Sequence, residues 1–290
     1  MSLARVLLLT TLAMLAFAAN SLLCRLALRE TGIDAASFTT IRLASGALML
    51  WLVVCLRGGP ANTGDRVGNT SHGSWASALA LFAYAAAFSF AYRTLPAGAG
   101  ALLLFGAVQA TMIGYGLWCG ERLGPRQSAG MALAAAGLVG LLLPGLSAPP
   151  LQGAVLMLAS GVAWGVYSLR GRGVANPAAS TAGNFLRAVP FALALSLAQL
   201  SSASVDAAGA AYAVASGALA SGLGYALWYG ALPLLRATTA ATVQLSVPVL
   251  AALGAAAFLG EAITLRLMLA SLAVLGGIAL VIRSPRWASR

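Results

Sequence analysis

Ten apolar segments, each close to the roughly 20 residues that a helix needs to cross a bilayer, follow one another along this chain. A window of about 19 residues places them at 5–28, 36–56, 75–94, 97–119, 126–144, 151–170, 179–199, 209–232, 236–259 and 264–283. Few folds accept such a pattern, because backbone polar groups in hydrocarbon must be paired inside their own segment, as a helix pairs them. With 60% hydrophobic and only 8% charged residues among 290, the chain is expected to be an all-α integral membrane protein of ten transmembrane helices. Most connections are a few residues long, so successive helices run antiparallel. The exception, Arg57 to Ser74, is rich in Gly, Asn and Ser, holds the single histidine, His72, and reads as a solvated loop. The first segment is longer than a signal-peptide core and has no convincing small-residue cleavage site, so it is expected to be retained as helix one.

A net charge of +11 raises the question of nucleic acid, but the positive residues stand singly between apolar runs and form no basic stripe. They read as topology signals. All are arginine. With the N-terminus in the cytoplasm, Arg5, Arg57, Arg66, Arg122, Arg126, Arg170, Arg172, Arg236, Arg283, Arg286 and Arg290 lie inside and Arg29, Arg93 and Arg266 outside. That imbalance predicts both termini in the cytoplasm. Arg25, Arg42 and Arg187 lie near helix ends and are expected to snorkel to the headgroups. Cys24, Cys55 and Cys119 are odd in number and lack metal-ligand spacing, so neither a disulfide framework nor a metal site is expected.

The halves of the chain resemble each other. Tyr92 to Pro96, YRTLP, ends segment three as Tyr229 to Pro233, YGALP, ends segment eight, and Gly120-Glu121 closes segment four as Gly260-Glu261 closes segment nine. Segments two and seven carry Arg42 and Arg187 in early turns, and segments five and ten carry the central glycines Gly137 and Gly277. The common order indicates two five-helix repeats, 1–146 and 147–290, within one membrane domain. An odd number of helices per repeat inverts the second copy. Inverted repeats with a site at mid-membrane depth mark secondary transporters, and interrupted segments point to the site.

Segment nine carries such an interruption. Pro248, at its middle, cannot donate the backbone bond that would reach the carbonyl of Gln244, so this turn is expected to be a kink offering a free carbonyl and a primary amide. The five-plus-five plan, Asn20-Ser21 in helix one, Leu-Pro ending helices three and eight, a proline amid helix nine and Gly-Glu after helices four and nine resemble the drug/metabolite transporter superfamily, in its EamA-type branch. The arrangement is most similar to the YddG-type aromatic amino acid exporters. That resemblance implies outward movement of phenylalanine, tyrosine, tryptophan and related metabolites across a bacterial inner membrane. Helix four departs from the symmetry, with Val108 and Gln109 where the counterpart of Pro248 would fall.

No catalytic constellation or cofactor motif is visible. Glu30, Asp34, Asp65, Glu121, Asp206 and Glu261 all fall in connections or at helix ends, which argues against an intramembrane enzyme and against carboxylate-coupled proton antiport. Aromatic and amide groups fill the interior instead. Tyr84, Phe88 and Tyr92 recur every fourth residue on helix three, Trp164 and Tyr167 lie in the inner half of helix six, and Tyr225, Trp228 and Tyr229 lie on helix eight. Tyr92, Trp228 and Tyr229, near helix ends, fit an interfacial aromatic belt. The deeper Tyr84, Phe88, Trp164 and Tyr225 fit a cavity.

The expected site therefore lies between helices one, three, four, six, eight and nine. An amino acid's ring would lie among Tyr84, Phe88, Trp164 and Tyr225, and its polar end on Asn20, Gln109, Gln244 and the carbonyl freed by Pro248. Helices five and ten, rich in Ala, Leu and Gly, belong at the periphery. Facilitated diffusion is the first expectation for coupling. The partners implied are a small-molecule substrate and the lipid bilayer, with oligomeric state left open, a monomer included. A transporter of phosphorylated or nucleotide sugars would need basic residues deep in the cavity, where only Arg42 and Arg187 could serve. A membrane-embedded lipid-modifying enzyme would need an acid, base or metal there.

Overall fold

A computed structural model describes residues 3–56, 73–120, 124–145, 148–172, 174, 176–231, 235 and 243–282. Among these there is no strand and there are ten helices: α1 (Leu3–Glu30), α2 (Ala35–Leu56), α3 (Trp75–Tyr92), α4 (Ala97–Trp118), α5 (Pro125–Leu142), α6 (Leu151–Arg170), α7 (Pro177–Ala198), α8 (Ala207–Ala231), α9 (Ser246–Leu259) and α10 (Leu265–Ile282). Their outer faces expose Leu7, Leu48, Trp51, Phe258 and Leu272, an apolar surface suited to lipid rather than water. His72, Glu121, most of the loop after α2 and the expected repeat boundary at Leu146–Ser147 lie outside the described residues.

The helix ends follow local chemistry. Ser74 caps α3 by accepting from the Ser77 amide, and Asn176 and Asp206 cap α7 and α8 in the same way. The Asp34 carboxylate accepts from the amides of Ala36, Ser37 and Ser204, so it caps α2 and ties the α1–α2 turn to the α7–α8 connection. Partial burial works against its charge, and the donors on Ser37, Ser204 and Ala36 outweigh that burial and hold its pKa below the usual carboxylate value. Gly260 ends α9 at φ +63°, a left-handed position that glycine takes without a Cβ penalty.

The packing has a two-fold pattern. Exchanging each helix for the one five places away turns the α1–α8 contact into α6–α3, α1–α9 into α6–α4 and α2–α8 into α7–α3, while α2–α7, α4–α9 and α5–α10 map onto themselves. Five helices per copy make the second copy inverted. α5 and α10 pack chiefly on each other, with Gly130 set against Gly277: a Cβ on Gly130 would lie 2.6 Å from the Gly277 carbonyl oxygen. Such close backbone approach is how helices associate where lipid offers no hydrophobic drive.

Segment nine is interrupted within the turn from Gln244 to Pro248. Val243 and Gln244 form the end of a helical turn, the winding breaks at Leu245, and α9 starts afresh at Ser246. Leu245 keeps right-handed dihedrals, φ −66° and ψ −13°, so the interruption falls in the turn before Pro248, where the bond from its missing N–H to the Gln244 carbonyl would have been. α8 has an irregularity of its own, since Ala215–Leu223 winds as a π-helix, a form that concentrates at functional sites.

Candidate functional site

Between the two repeats lies a cavity of about 490 Å³, within the range of small-molecule sites. Its mouth is formed by Ser77 at the start of α3, Arg170 at the end of α6, Arg172 just beyond it, and Pro177 at the start of α7. This is the end of the bundle at which α1 begins. Farther in, the walls are Phe17, Asn20 and Ser21 of α1, Tyr84 and Phe88 of α3, Leu104, Phe105, Val108 and Met112 of α4, and Trp164, Tyr167 and Ser168 of α6. Thr181 and Asn184 of α7, Ser221, Tyr225, Trp228 and Tyr229 of α8, and Gln244 complete them.

Six of the eight residues expected at the site, Asn20, Tyr84, Phe88, Trp164, Tyr225 and Gln244, come together on this cavity. Gln109 and Pro248 do not line it. Gln109 is buried on α4, where Leu104, Phe105, Val108 and Met112 are the residues that reach the cavity, and Pro248 is buried in α9 beyond the break. α7 was not among the helices expected, yet it supplies Thr181, which donates to the Tyr229 hydroxyl at 3.2 Å, and Asn184, whose amide lies 3.4 Å from the Tyr167 hydroxyl. Asn184 was legible as a primary amide in segment seven, beside Arg187.

The centre of the cavity is aromatic. The Trp164 ring lies 4.8 Å from Tyr84, 5.4 Å from Tyr225 and 5.3 Å from Tyr167, stacked with the last two. Phe88 continues the row 5.5 Å from Tyr84, and Phe17 closes on Tyr225 at 5.6 Å. These rings are held from behind by polar contacts: Ser160 of α6 donates to the Tyr84 carbonyl at 3.0 Å, and Thr39 of α2 to Ser89 at 2.9 Å. Trp228 and Tyr229 belong to this wall, and Tyr92 is fully buried with its hydroxyl on the Ala97 carbonyl. The three are therefore not an interfacial belt, because the ends of α3 and α8 turn these rings inward.

Two of the three arginines expected to snorkel, Arg42 and Arg25, are held inside the bundle instead. Arg42 is 2% exposed and donates to the Tyr84 hydroxyl at 2.9 Å. Arg187 donates to the Gly183 carbonyl one turn back at 3.1 Å. Arg25 closes the far end of the bundle. Its Nε donates to Glu261 Oε1 at 3.0 Å, and its Nη1 to the carbonyls of Tyr92 and Arg93 at 2.9 and 3.1 Å. Glu261 Oε2 in turn accepts from the Ala97 amide at 2.7 Å, at the start of α4. The pair thus joins α1, the α3–α4 turn and the end of α9 into one plug, with side chains only 11% and 10% exposed. The cavity is open at one end and sealed at the other.

Residues 151–283 match the EamA-like transporter family. Over 282 residues the chain is 61% identical to an uncharacterized protein of Pseudomonas aeruginosa, covering 97% of this chain and 96% of that one. A solved crystal structure of a protein 21% identical overlies the whole of both chains with a TM-score of 0.66, a likeness of fold. A ten-helix fold of paired five-helix halves, collinear with that relative and matching the family over its second half, makes this chain a member of the EamA-like transporter family.

Proposed function

We propose that this chain exports aromatic amino acids and related small metabolites across a bacterial inner membrane by facilitated alternating access, with both termini in the cytoplasm. The observation that carries the reading is the Tyr84–Trp164–Tyr225 row, set in a cavity that opens at the arginine-rich end of the bundle and is sealed at the other. Planar rings on three helices favour a planar ring in the ligand, and such ring pairs contribute about 0.5–1.5 kcal/mol each beyond buried area. Trp164 makes two of the central contacts. Trp164→Ala is expected to weaken phenylalanine binding by roughly 5- to 150-fold, from about 1 to 3 kcal/mol, and threonine much less.

The test is flux of phenylalanine and threonine by purified protein in liposomes, with and without an imposed pH gradient. Facilitated export predicts that flux follows the substrate gradient and ignores the pH gradient. Proton-driven accumulation against a substrate gradient would defeat that part of the reading. Equal loss of phenylalanine and threonine in Trp164→Ala would defeat the aromatic assignment.

Orientation has its own test. In a chain lacking the exposed Cys55 and Cys119, a cysteine replacing the exposed Ser202, between α7 and α8, should be labelled from outside intact cells. One replacing the exposed Arg172, between α6 and α7, should not. The opposite pattern would reverse the proposed topology and turn the open mouth to the periplasm.

A further inference from the structure

Arg42 carries a charge for which the fold supplies too few partners. Among the described residues it is the largest fully buried side chain, and only its Nη2 is bonded, to the Tyr84 hydroxyl. Its Nε and Nη1 are buried and have no hydrogen-bond partner. The ion pairs among the described residues join Arg25 to Glu261 and Arg29 to Glu30 and Glu261, and leave Arg42 without a carboxylate. Two rings flank it: the guanidinium carbon lies 4.8 Å from the Phe88 centroid and 5.3 Å from that of Tyr84. Cation–π attraction offsets part of the burial but gives the N–H groups of these two nitrogens no acceptor. A buried cation with half its fork empty, in a membrane protein, marks a site whose anion arrives from elsewhere.

The same two rings wall the cavity. Tyr84 and Phe88 face its interior and pack against Arg42, so the Tyr84 ring separates the cavity from the guanidinium. The Tyr84 hydroxyl also lies 3.4 Å from the Asn20 amide nitrogen, and Asn20 is itself held by Ser216 at 2.6 Å. A single oxygen thus occupies the place where donors from α1 and α2 converge.

We propose that Arg42 is the carboxylate-binding residue of this cavity. When the Tyr84 ring turns, a ligand carboxylate replaces its hydroxyl, taking two parallel bonds from the guanidinium and one from the Asn20 amide. Arginine is suited to this because its planar fork matches a carboxylate. One cation balances a carboxylate's single charge and falls short of the nearly two charges of a phosphate monoester. The proposal rests on the aromatic amino acid reading only for the ring that accompanies the carboxylate.

The experiment is calorimetric binding to the purified chain of phenylalanine, phenylalaninamide, 3-phenylpropionate and glucose 6-phosphate. The parent should bind both carboxylates roughly 10- to 150-fold more tightly than the amide, the factor expected for charge-assisted hydrogen bonds. In Arg42→Met that preference should vanish by loss of carboxylate affinity, with the amide unchanged. Arg42→Lys keeps the charge without the fork and should lose at least about fivefold in carboxylate affinity. A parent that does not distinguish acid from amide overturns the proposal whatever the variants do. So does an Arg42→Met protein that still distinguishes them, an Arg42→Lys protein with undiminished affinity, or binding of glucose 6-phosphate in place of the carboxylates. Arg42-dependent binding of 3-phenylpropionate without any transport of phenylalanine would sustain this site and defeat the amino acid reading instead.

Discussion

Arg25→Met is expected to open the sealed end of the bundle. The substitution keeps an unbranched apolar stem while removing the bond to Glu261 and both bonds to the carbonyls of Tyr92 and Arg93. It leaves Glu261 nine-tenths buried with the Ala97 amide as its close donor, Arg29 being 4.0 Å away. Removing one partner of a largely buried pair costs about 3–5 kcal/mol, because the remaining charge is stranded. In alternating access that loss falls on the sealed state alone, since the three segments must separate when this end opens. The balance between the two states should then move by a factor on the order of 10² to 10³. Cys24 is a native reporter of the change, being fully buried beside Arg25. In a chain lacking Cys55 and Cys119, an impermeant maleimide supplied from the sealed side should modify Cys24 in Arg25→Met and leave the parent largely unmodified. If Cys24 stays protected while transport continues at the parent rate, the ion pair is not the seal.

The residues that sequence reasoning located share one property: their signal is local. Tyr84 and Phe88 stood out as a four-residue stripe among alanines, and Gln244 and Asn20 as amides in apolar runs, because lipid satisfies neither. The two-fold pairing of helices was legible too, through Leu-Pro and Gly-Glu at matching ends. What failed depended on a partner from another helix. Arg42 is about 10 Å along α2 from its start at Ala35, a distance that a long side chain can snorkel, and nothing near it in sequence reveals that Tyr84 holds it. Arg25 looked the same and is instead paired with a residue 236 positions away. The break at Leu245 is legible only through Pro248: Val243, Leu245 and Val247 are apolar on both sides of it, so hydropathy joins what the backbone divides.

Gly217→Ala should be the most damaging of the small substitutions. Gly217 lies in the π-wound stretch of α8 and packs against α2, where an added Cβ would overlap the Arg42 carbonyl oxygen and the Ser45 hydroxyl and lie 2.8 Å from the Arg42 carbonyl carbon. Ser45 can rotate away, but the Arg42 backbone cannot, so α2 and α8 must separate. Overpacking of this kind costs about 1–3 kcal/mol, and a backbone obstacle puts it at the upper end or beyond. Gly276→Ala on α10 is the matched control. It has nothing within 4 Å of an added Cβ and should gain up to about 1 kcal/mol from helix propensity. The thermal midpoint in detergent should therefore fall for the first and hold or rise for the second; equal midpoints would mean that the α2–α8 contact yields. The functional consequence follows from what that contact carries. Ser216, one residue before Gly217, holds Asn20, and the Arg42 backbone is the surface on which Gly217 rests. Pushing α8 outward displaces both donors proposed for a ligand's carboxylate while leaving the row from Tyr84 to Trp164 on α3 and α6. In Gly217→Ala that still folds, phenylalanine should lose its stabilising effect on the midpoint, while phenylalaninamide should keep whatever effect it has on the parent. Undiminished stabilisation by phenylalanine would show that the α2–α8 contact does not position the carboxylate donors.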